Sequence, residues 1–336
     1  MNARDEAKES AAENANVVLG SAHETDHRQS AVESKSQSLV PRIRVGIIGG
    51  GFVGGAHANV LRHYCDVKVY DVDPTRSSHS FRDVAHQDVL FVCLPTPMRK
   101  DGRVDRSLVE SALDAVRSES TAKAVILKST LPPGDLLLLH EKFLGCEISF
   151  IFSPEFLTER SAEYDLQQSG RFIFGENRAL CAGVEAVEAL FDHRWCGVPR
   201  YWTSLESASL VKYMTNVFFA TKVALMNEFD ALLRSYGAER KRTLDLFMLD
   251  PRIGRSHFQV PGHDGKRGFG GSCFLKDMNG FLRIAQRQGV PARIAEAAWR
   301  SNVEARGADV IAEELQRLVG RAASEPFTAA EVEKLG

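Results

Sequence analysis

The sequence predicts an α/β protein: a doubly wound parallel sheet followed by a mostly α-helical domain. Two observations carry this expectation. From Ile43 onward, short apolar runs alternate with helical patterns, the order that builds a parallel sheet covered on both faces. After about Tyr201 the apolar residues instead recur at helical spacing, far beyond the length of an average helix. The chain has 336 residues, room for two domains with sizeable cores.

Residues 1–41 come first, rich in Ala, Glu, Ser, Asn and His, with VVLG as the only apolar cluster. They read as a disordered extension, or as a weak amphipathic helix around Ala7–Val18. Order begins at Ile43–Ile48, a short apolar run that ends in glycines, as a buried strand feeding a turn does. Val67–Tyr70, Val89–Leu94, Ala124–Lys128, Ile148–Ile151 and Phe172–Phe174 follow as further strands, and Ser107–Glu119 reads as a helix. This first domain is assigned to residues 42–200. The second, 201–320, opens on a long helix with apolar Leu210, Tyr213, Met214, Val217, Phe218, Leu225 and Phe229. A Gly-rich loop spans Val260–Ser272, Lys276–Leu318 reads as helix again, and 321–336 as a helical or frayed tail.

Composition narrows the function. Hydrophobic residues make up 44% and charged residues 26%, as in ordinary soluble globular proteins. The net charge of -2 does not favour nucleic acid or an anionic membrane as partner. The six cysteines are scattered without CxxC or Cys/His spacing, so no metal site is expected, and reduced thiols point to a cytoplasmic protein. Neither a signal peptide nor a membrane-spanning stretch of ~20 apolar residues is read.

The first strand ends in GGGFVG, which fits GxGxxG at Gly49, Gly51 and Gly54 and leads through Phe52 and Val53 into a helix. That context is the dinucleotide fingerprint of a Rossmann-like domain: a tight turn, close backbone approach to a pyrophosphate, and a helix N-terminus beneath it. Asp71 ends the second strand, where it would accept hydrogen bonds from a ribose and favour NAD over NADP. Arg76 nearby argues the other way or packs along the adenosine. Pro95–Thr96 and the Thr130 loop leave strand C-terminal ends, where ligands bind in such sheets.

GFGGSCFLKD, Gly268 to Asp277, raises a sharper question. Its glycines free the backbone, Ser272–Cys273 begins a helix, and Asp277 falls one turn after the cysteine. By itself the stretch reads as an inert buried thiol before it reads as a nucleophile. The stretch resembles, however, the signature of the UDP-glucose/GDP-mannose dehydrogenase family. YDVDPTR, CLPTP, KSTLPPG, SPEFLTE, KYMTN…NEFD and DPRIG agree with that family in order, from Ile43 to Asn302.

The resemblance implies oxidation of a nucleotide-sugar alcohol to a carboxylate by two NAD⁺, with UDP-glucose as the first substrate to consider. It implies Cys273 as the nucleophile, forming a thiohemiacetal and then a thioester, and Lys212 with Asn216 as the oxyanion-stabilising pair. Asp277 would move protons, and Thr130 would hold the water on the cofactor side. Glu155, with Phe156 and Leu157, would meet the substrate, and Glu159 the nicotinamide end. Phe258, Gly268 and Gly270 would form the sugar loop. The resemblance also implies a homodimer built on the long helix, with Arg252 reaching the substrate of the neighbouring subunit.

Departures from the family pattern matter too. Only about ten residues separate Asp73 from VAHQDVLFVC, so the nucleotide domain is trimmed. No strand–glycine pattern follows Asn302, which reads as a short form lacking the family's C-terminal UDP-binding domain. VPGHDGKRGFGG is longer than usual, and its Lys266 and Arg267 read as added phosphate-binding charge. Ser209 stands where the family often has a glutamate. Alternatives are therefore the same chemistry on GDP-mannose, a UDP-N-acetyl sugar or a smaller sugar phosphate, or a partner-dependent NAD-binding dimer without its own turnover.

Overall fold

Each expected apolar run becomes a strand in the computed structural model, which describes residues 42–158, 160–176, 182–319 and 326–335. The expected extension over 1–41, Glu159 and the first part of the expected tail lie outside the described residues. Among the described residues, seven strands form one sheet: β1 (Arg44–Ile48), β2 (Asp66–Tyr70), β3 (Val89–Val92), β4 (Ala124–Leu127), β5 (Ser149–Phe152), β6 (Phe172–Gly175) and β7 (Arg200–Thr203). Their order is β2-β1-β3-β4-β5-β6-β7. The strands β3 to β6 bury every residue because helices cover both faces. Alternation along the strands sends Ile47, Phe91, Ile126 and Ile151 into one apolar layer, and Ile48, Leu90, Val125 and Phe150 into the other.

Two features differ from expectation. Pairing is parallel from β2 to β5, but β6 meets β5 antiparallel, so the sheet is mixed at that join. The intervening helix α5 (Ala162–Gln167) is about 9 Å long. It does not carry the chain back along the sheet, and β6 enters from the far end. The strand β7 (RYWT) was not anticipated, because an edge strand that is half exposed leaves no apolar run to read.

Four helices of the first half flank the sheet: α1 (Phe52–Leu61), α2 (Phe81–Ala85), α3 (Ser107–Glu119) and α4 (Pro133–Glu141). The β2–β3 connection holds only the five-residue α2, started by a Ser80–Asp83 capping box, so β2 is left as the sheet edge. The sheet order reverses between β1 and β3, which opens a crevice at their C-terminal ends. After α6 (Ala182–Arg194) and β7 comes α7 (Leu205–Ser235), 31 residues long and capped by Ser204.

The helix α7 packs against α4, β6 and two later helices. The expected helix Lys276–Leu318 is three helices: α9 (Gly271–Arg287), α10 (Arg293–Arg306) and α11 (Ala308–Val319), after the short α8 (Arg240–Phe247). The breaks fall at Gly289–Pro291 and at Gly307, residues that stop a helix. The described part of the tail is docked: α12 (Ala329–Lys334) starts at a Thr328–Glu331 capping box and buries Phe327, Val332 and Leu335 against Trp299. Among the described residues no helix is long and apolar enough to cross a membrane.

Candidate active site

The chain leaves β1 through Gly49, whose φ of 97° is one an L side chain rarely adopts, and a Cβ there would meet the Cys93 carbonyl. Gly51 caps α1 without a side-chain hydrogen bond, so the first N–H groups of the helix face outward with its positive dipole end. Asp71, at the end of β2, accepts from Gly50 N at 2.7 Å and from Asp73 N at 2.8 Å, which fixes the carboxylate beside the glycine turn. Arg76 lies exposed over that turn near Gly51 and pairs with Asp73 at 3.5 Å, rather than extending away along the surface. Phe52 is exposed and Val53 half-buried on the first turn of α1. Pro95 is exposed, and Thr96 Oγ1 donates to the Thr130 carbonyl at 3.0 Å, joining the two loops at the sheet's C-terminal edge. An uncapped helix N-terminus, a glycine cradle and a carboxylate at a strand end together fit a dinucleotide.

A second cluster lies where α7 and α9 meet the β5 loop. Lys212 and Asn216, one turn apart on α7, are both buried. Lys212 Nζ donates to the Glu155 carbonyl at 2.6 Å and to Glu155 Oε1 at 3.0 Å, while Glu155 Oε2 accepts from Leu157 N. Asn216 Nδ2 donates to Asp277 Oδ2 at 2.5 Å, and Lys276 Nζ to Asp277 Oδ1 at 2.6 Å. Asp277 is only 1% exposed, so this double hydrogen bonding is what keeps its buried carboxylate tolerable.

Burial alone would lower the Lys212 pKa. Glu155, Asp277 and Cys273 outweigh it and raise the pKa, so the ammonium is held in its charged form. Cys273 is half-buried in the first turn of α9, at the positive end of that helix.

The structure thus brings Glu155, Lys212, Asn216, Cys273 and Asp277 into one neighbourhood. Phe156 lays its ring beneath Lys212 Nζ at 5.5 Å, and Leu157 is half-buried next to it. Thr130 is buried at the facing loop. Phe258 is half-buried, and Gly268 and Gly270 precede α9. Arg252 is not drawn in: its side chain is 88% exposed and pairs with Asp250.

Of the two residues expected to add phosphate-binding charge, Lys266 pairs with Glu314 at 3.3 Å while its side chain stays 47% exposed, and Arg267 pairs with the fully buried Asp230. Ser209 is not idle either, since its Oγ donates to the Leu131 carbonyl at 2.7 Å and ties α7 to the Thr130 loop.

Sequence reasoning missed Lys128. It is buried at the end of β4 and donates to Ser153 Oγ at 3.1 Å and the Pro154 carbonyl at 3.4 Å, just ahead of Glu155. Burial pushes its pKa down to about 8. With His57, Glu155, Phe156 and Arg171 it lines a cavity of about 250 Å³. Its one sequence signal is a charge closing an otherwise apolar strand.

Residues 75–194 match the model of the NAD binding domain of the UDP-glucose/GDP-mannose dehydrogenase family, and residues 206–304 match that of its central domain. The UDP-glucose 6-dehydrogenase TuaD of Bacillus subtilis is 33% identical over 225 residues, 65% of this chain and 47% of that protein. The UDP-glucose 6-dehydrogenase of Rickettsia typhi is 32% identical over 232 residues, 67% and 50% respectively. This chain therefore spans about half the length of the curated relatives it matches. A UDP-glucose dehydrogenase structure from Pyrobaculum islandicum superposes with a TM-score of 0.68 at 27% identity, covering 84% of this chain and 82% of the other.

Proposed function

Since the chain belongs to the UDP-glucose/GDP-mannose dehydrogenase family, we propose that it is a nucleotide-sugar 6-dehydrogenase oxidising UDP-glucose to UDP-glucuronate in two NAD-dependent steps. The observation that carries this reading is the buried cluster itself. On α7 a protonated lysine lies within electrostatic reach of Cys273 at the start of α9 and is paired with Glu155, and an asparagine one turn on is hydrogen-bonded to Asp277. The N-terminus of α1, the Gly49–Gly54 turn and Asp71 would hold NAD. Bound NAD⁺ supplies the hydride acceptor for both oxidations, a fresh molecule being needed for the second.

The chain's own residues act on the sugar. The primary alcohol loses a proton and a hydride to become an aldehyde. Cys273 Sγ then adds to the aldehyde carbon, and the oxyanion of the thiohemiacetal is stabilised by Lys212 Nζ and the second N–H of Asn216. Loss of a second hydride leaves a thioester. A water held by Thr130 and Glu155 gives its proton to Asp277 and attacks the acyl carbon, the thiolate leaves, and the carboxylate is released.

Lys212 needs its charge in this scheme, and its raised pKa supplies it throughout the neutral range. The chain works as a homodimer through α7, and Arg252 reaches the neighbouring subunit's substrate from its exposed position.

The test is NADH release by the full chain from a panel of nucleotide sugars. UDP-glucose is expected to yield two NADH per sugar, and Cys273→Ala to lose turnover by about a thousand-fold or more. Faster turnover on GDP-mannose or a UDP-N-acetyl sugar would reassign the substrate. Calorimetric NAD⁺ binding with no turnover on any sugar would overturn the enzyme reading in favour of an NAD-binding dimer.

A further inference from the structure

Asp264–Gly270 leads into Cys273 without regular secondary structure. Its backbone groups must still find partners, because part of it is buried. Side chains from two helices supply them. Gly268 N donates to Asn227 Oδ1 of α7 at 3.1 Å. Phe269 N donates to Asn302 Oδ1 of α10 at 2.6 Å, and Asn302 Nδ2 donates back to the Phe269 carbonyl at 3.0 Å. One turn further along α10, Arg306 Nη1 donates to the carbonyls of Arg267 at 3.1 Å and Gly268 at 3.5 Å. Asn302 is fully buried, and both functions of its amide are used on a single residue. The Arg306 guanidinium is buried as well, its charge met by Glu314 at 2.6 Å and Asp264 at 2.5 Å.

The glycines fit this clamp. Gly268 has a φ of 68°, and a Cβ there would strike Asn302 Oδ1; a Cβ at Gly270 would strike the Arg306 guanidinium. Glycines expected to make room for a sugar are thus also required by two side chains of α10. Among the described residues, Asn302 and Arg306 make no hydrogen bond to Glu155, Lys212, Asn216 or Asp277.

We propose that Asn302 and Arg306 are positioning residues: together they clamp the Arg267–Phe269 backbone and so set where the N-terminus of α9 holds Cys273 against Lys212 and Asn216. This inference rests on the proposed reaction for its catalytic consequence, but not for its geometry.

Two conservative variants test it. Asn302→Asp keeps the acceptor for Phe269 N and turns a carboxylate oxygen on the Phe269 carbonyl. Arg306→Lys keeps a charge for Glu314 and Asp264 and loses the fork to Arg267 and Gly268. For the full chain, the readouts are melting temperature, the iodoacetamide alkylation rate of Cys273 resolved by peptide mass, and, with UDP-glucose as substrate, kcat and the KM for NAD⁺.

With melting little changed, the alkylation rate is expected to shift by about five-fold or more, and kcat to fall by about ten-fold or more with KM for NAD⁺ unchanged. Unchanged alkylation and kcat, with or without a lower melting temperature, would overturn the clamp. If Asn302→Asp does not fold, Arg306→Lys decides alone. Shifted alkylation alongside a wild type inert to every nucleotide sugar would support the clamp and overturn the reaction instead.

Discussion

Lys128 and Lys212 both lie buried beside Glu155, yet their surroundings move them in opposite directions. Burial lowers Lys128 to about 8, with Cys93 and Glu155 only partly opposing and Lys212 adding to the fall. Lys212 is raised because Glu155, Asp277 and Cys273 outweigh its burial. Between about 8 and its ordinary 10.5, Lys128 is neutral in the folded chain and protonated in the unfolded one. The unfolded state therefore binds more protons in that window, and stability rises with pH through it, by at most roughly 3 kcal/mol.

Lys128→Met is expected to remove that rise. Urea unfolding at about pH 7.5 and about pH 10 checks it, the wild type gaining about 1–3 kcal/mol more than the variant. Equal gains would contradict the assignment. The other groups of the cluster were legible because GFGGSCFLKD, KYMTN and SPEFLTE each quote their motif locally. Lys128 was not, since a lysine after a strand ordinarily reads as exposed.

At the scale of elements, α7 does two jobs on two faces. Its inner face carries Lys212, Asn216 and Asn227. Its outer face leaves Met214, Phe218, Leu225 and Leu232 exposed at spacings of four and seven, Phe218 at 64%. Such a stripe on a long helix marks an interaction surface, in keeping with the proposed homodimer. Phe218→Glu is expected to convert a dimer to a monomer by light scattering, whereas a dimer of unchanged mass would exclude this face.

Periodicity made α7 readable in advance. The same periodicity ran through Gly289–Pro291 and Gly307 and merged three helices into one. The antiparallel entry of β6 and the strand RYWT were hidden for different reasons: strand direction leaves no local pattern, and a half-exposed edge strand leaves no apolar run. Asn302 and Arg306 belong with these, because the backbone they hold at Arg267–Phe269 lies more than thirty residues away and no local pattern announces it.

For the whole molecule, the sheet presents the C-terminal edges of β1 and β3 to a dinucleotide, and α7 and α9 bring a cysteine cluster against the β5 loop. The fold class followed from strand and helix alternation, and the trimmed β2–β3 connection was visible as a shortage of residues.

In the proposed reaction Cys273 carries the acyl group, and the most direct test is the peptide mass of Cys273 in Asp277→Asn after incubation with NAD⁺ and UDP-glucose. Slowed hydrolysis is expected to leave a nucleotide-sugar acyl adduct on that cysteine. NADH release with Cys273 unmodified would rule out a covalent role for this cysteine.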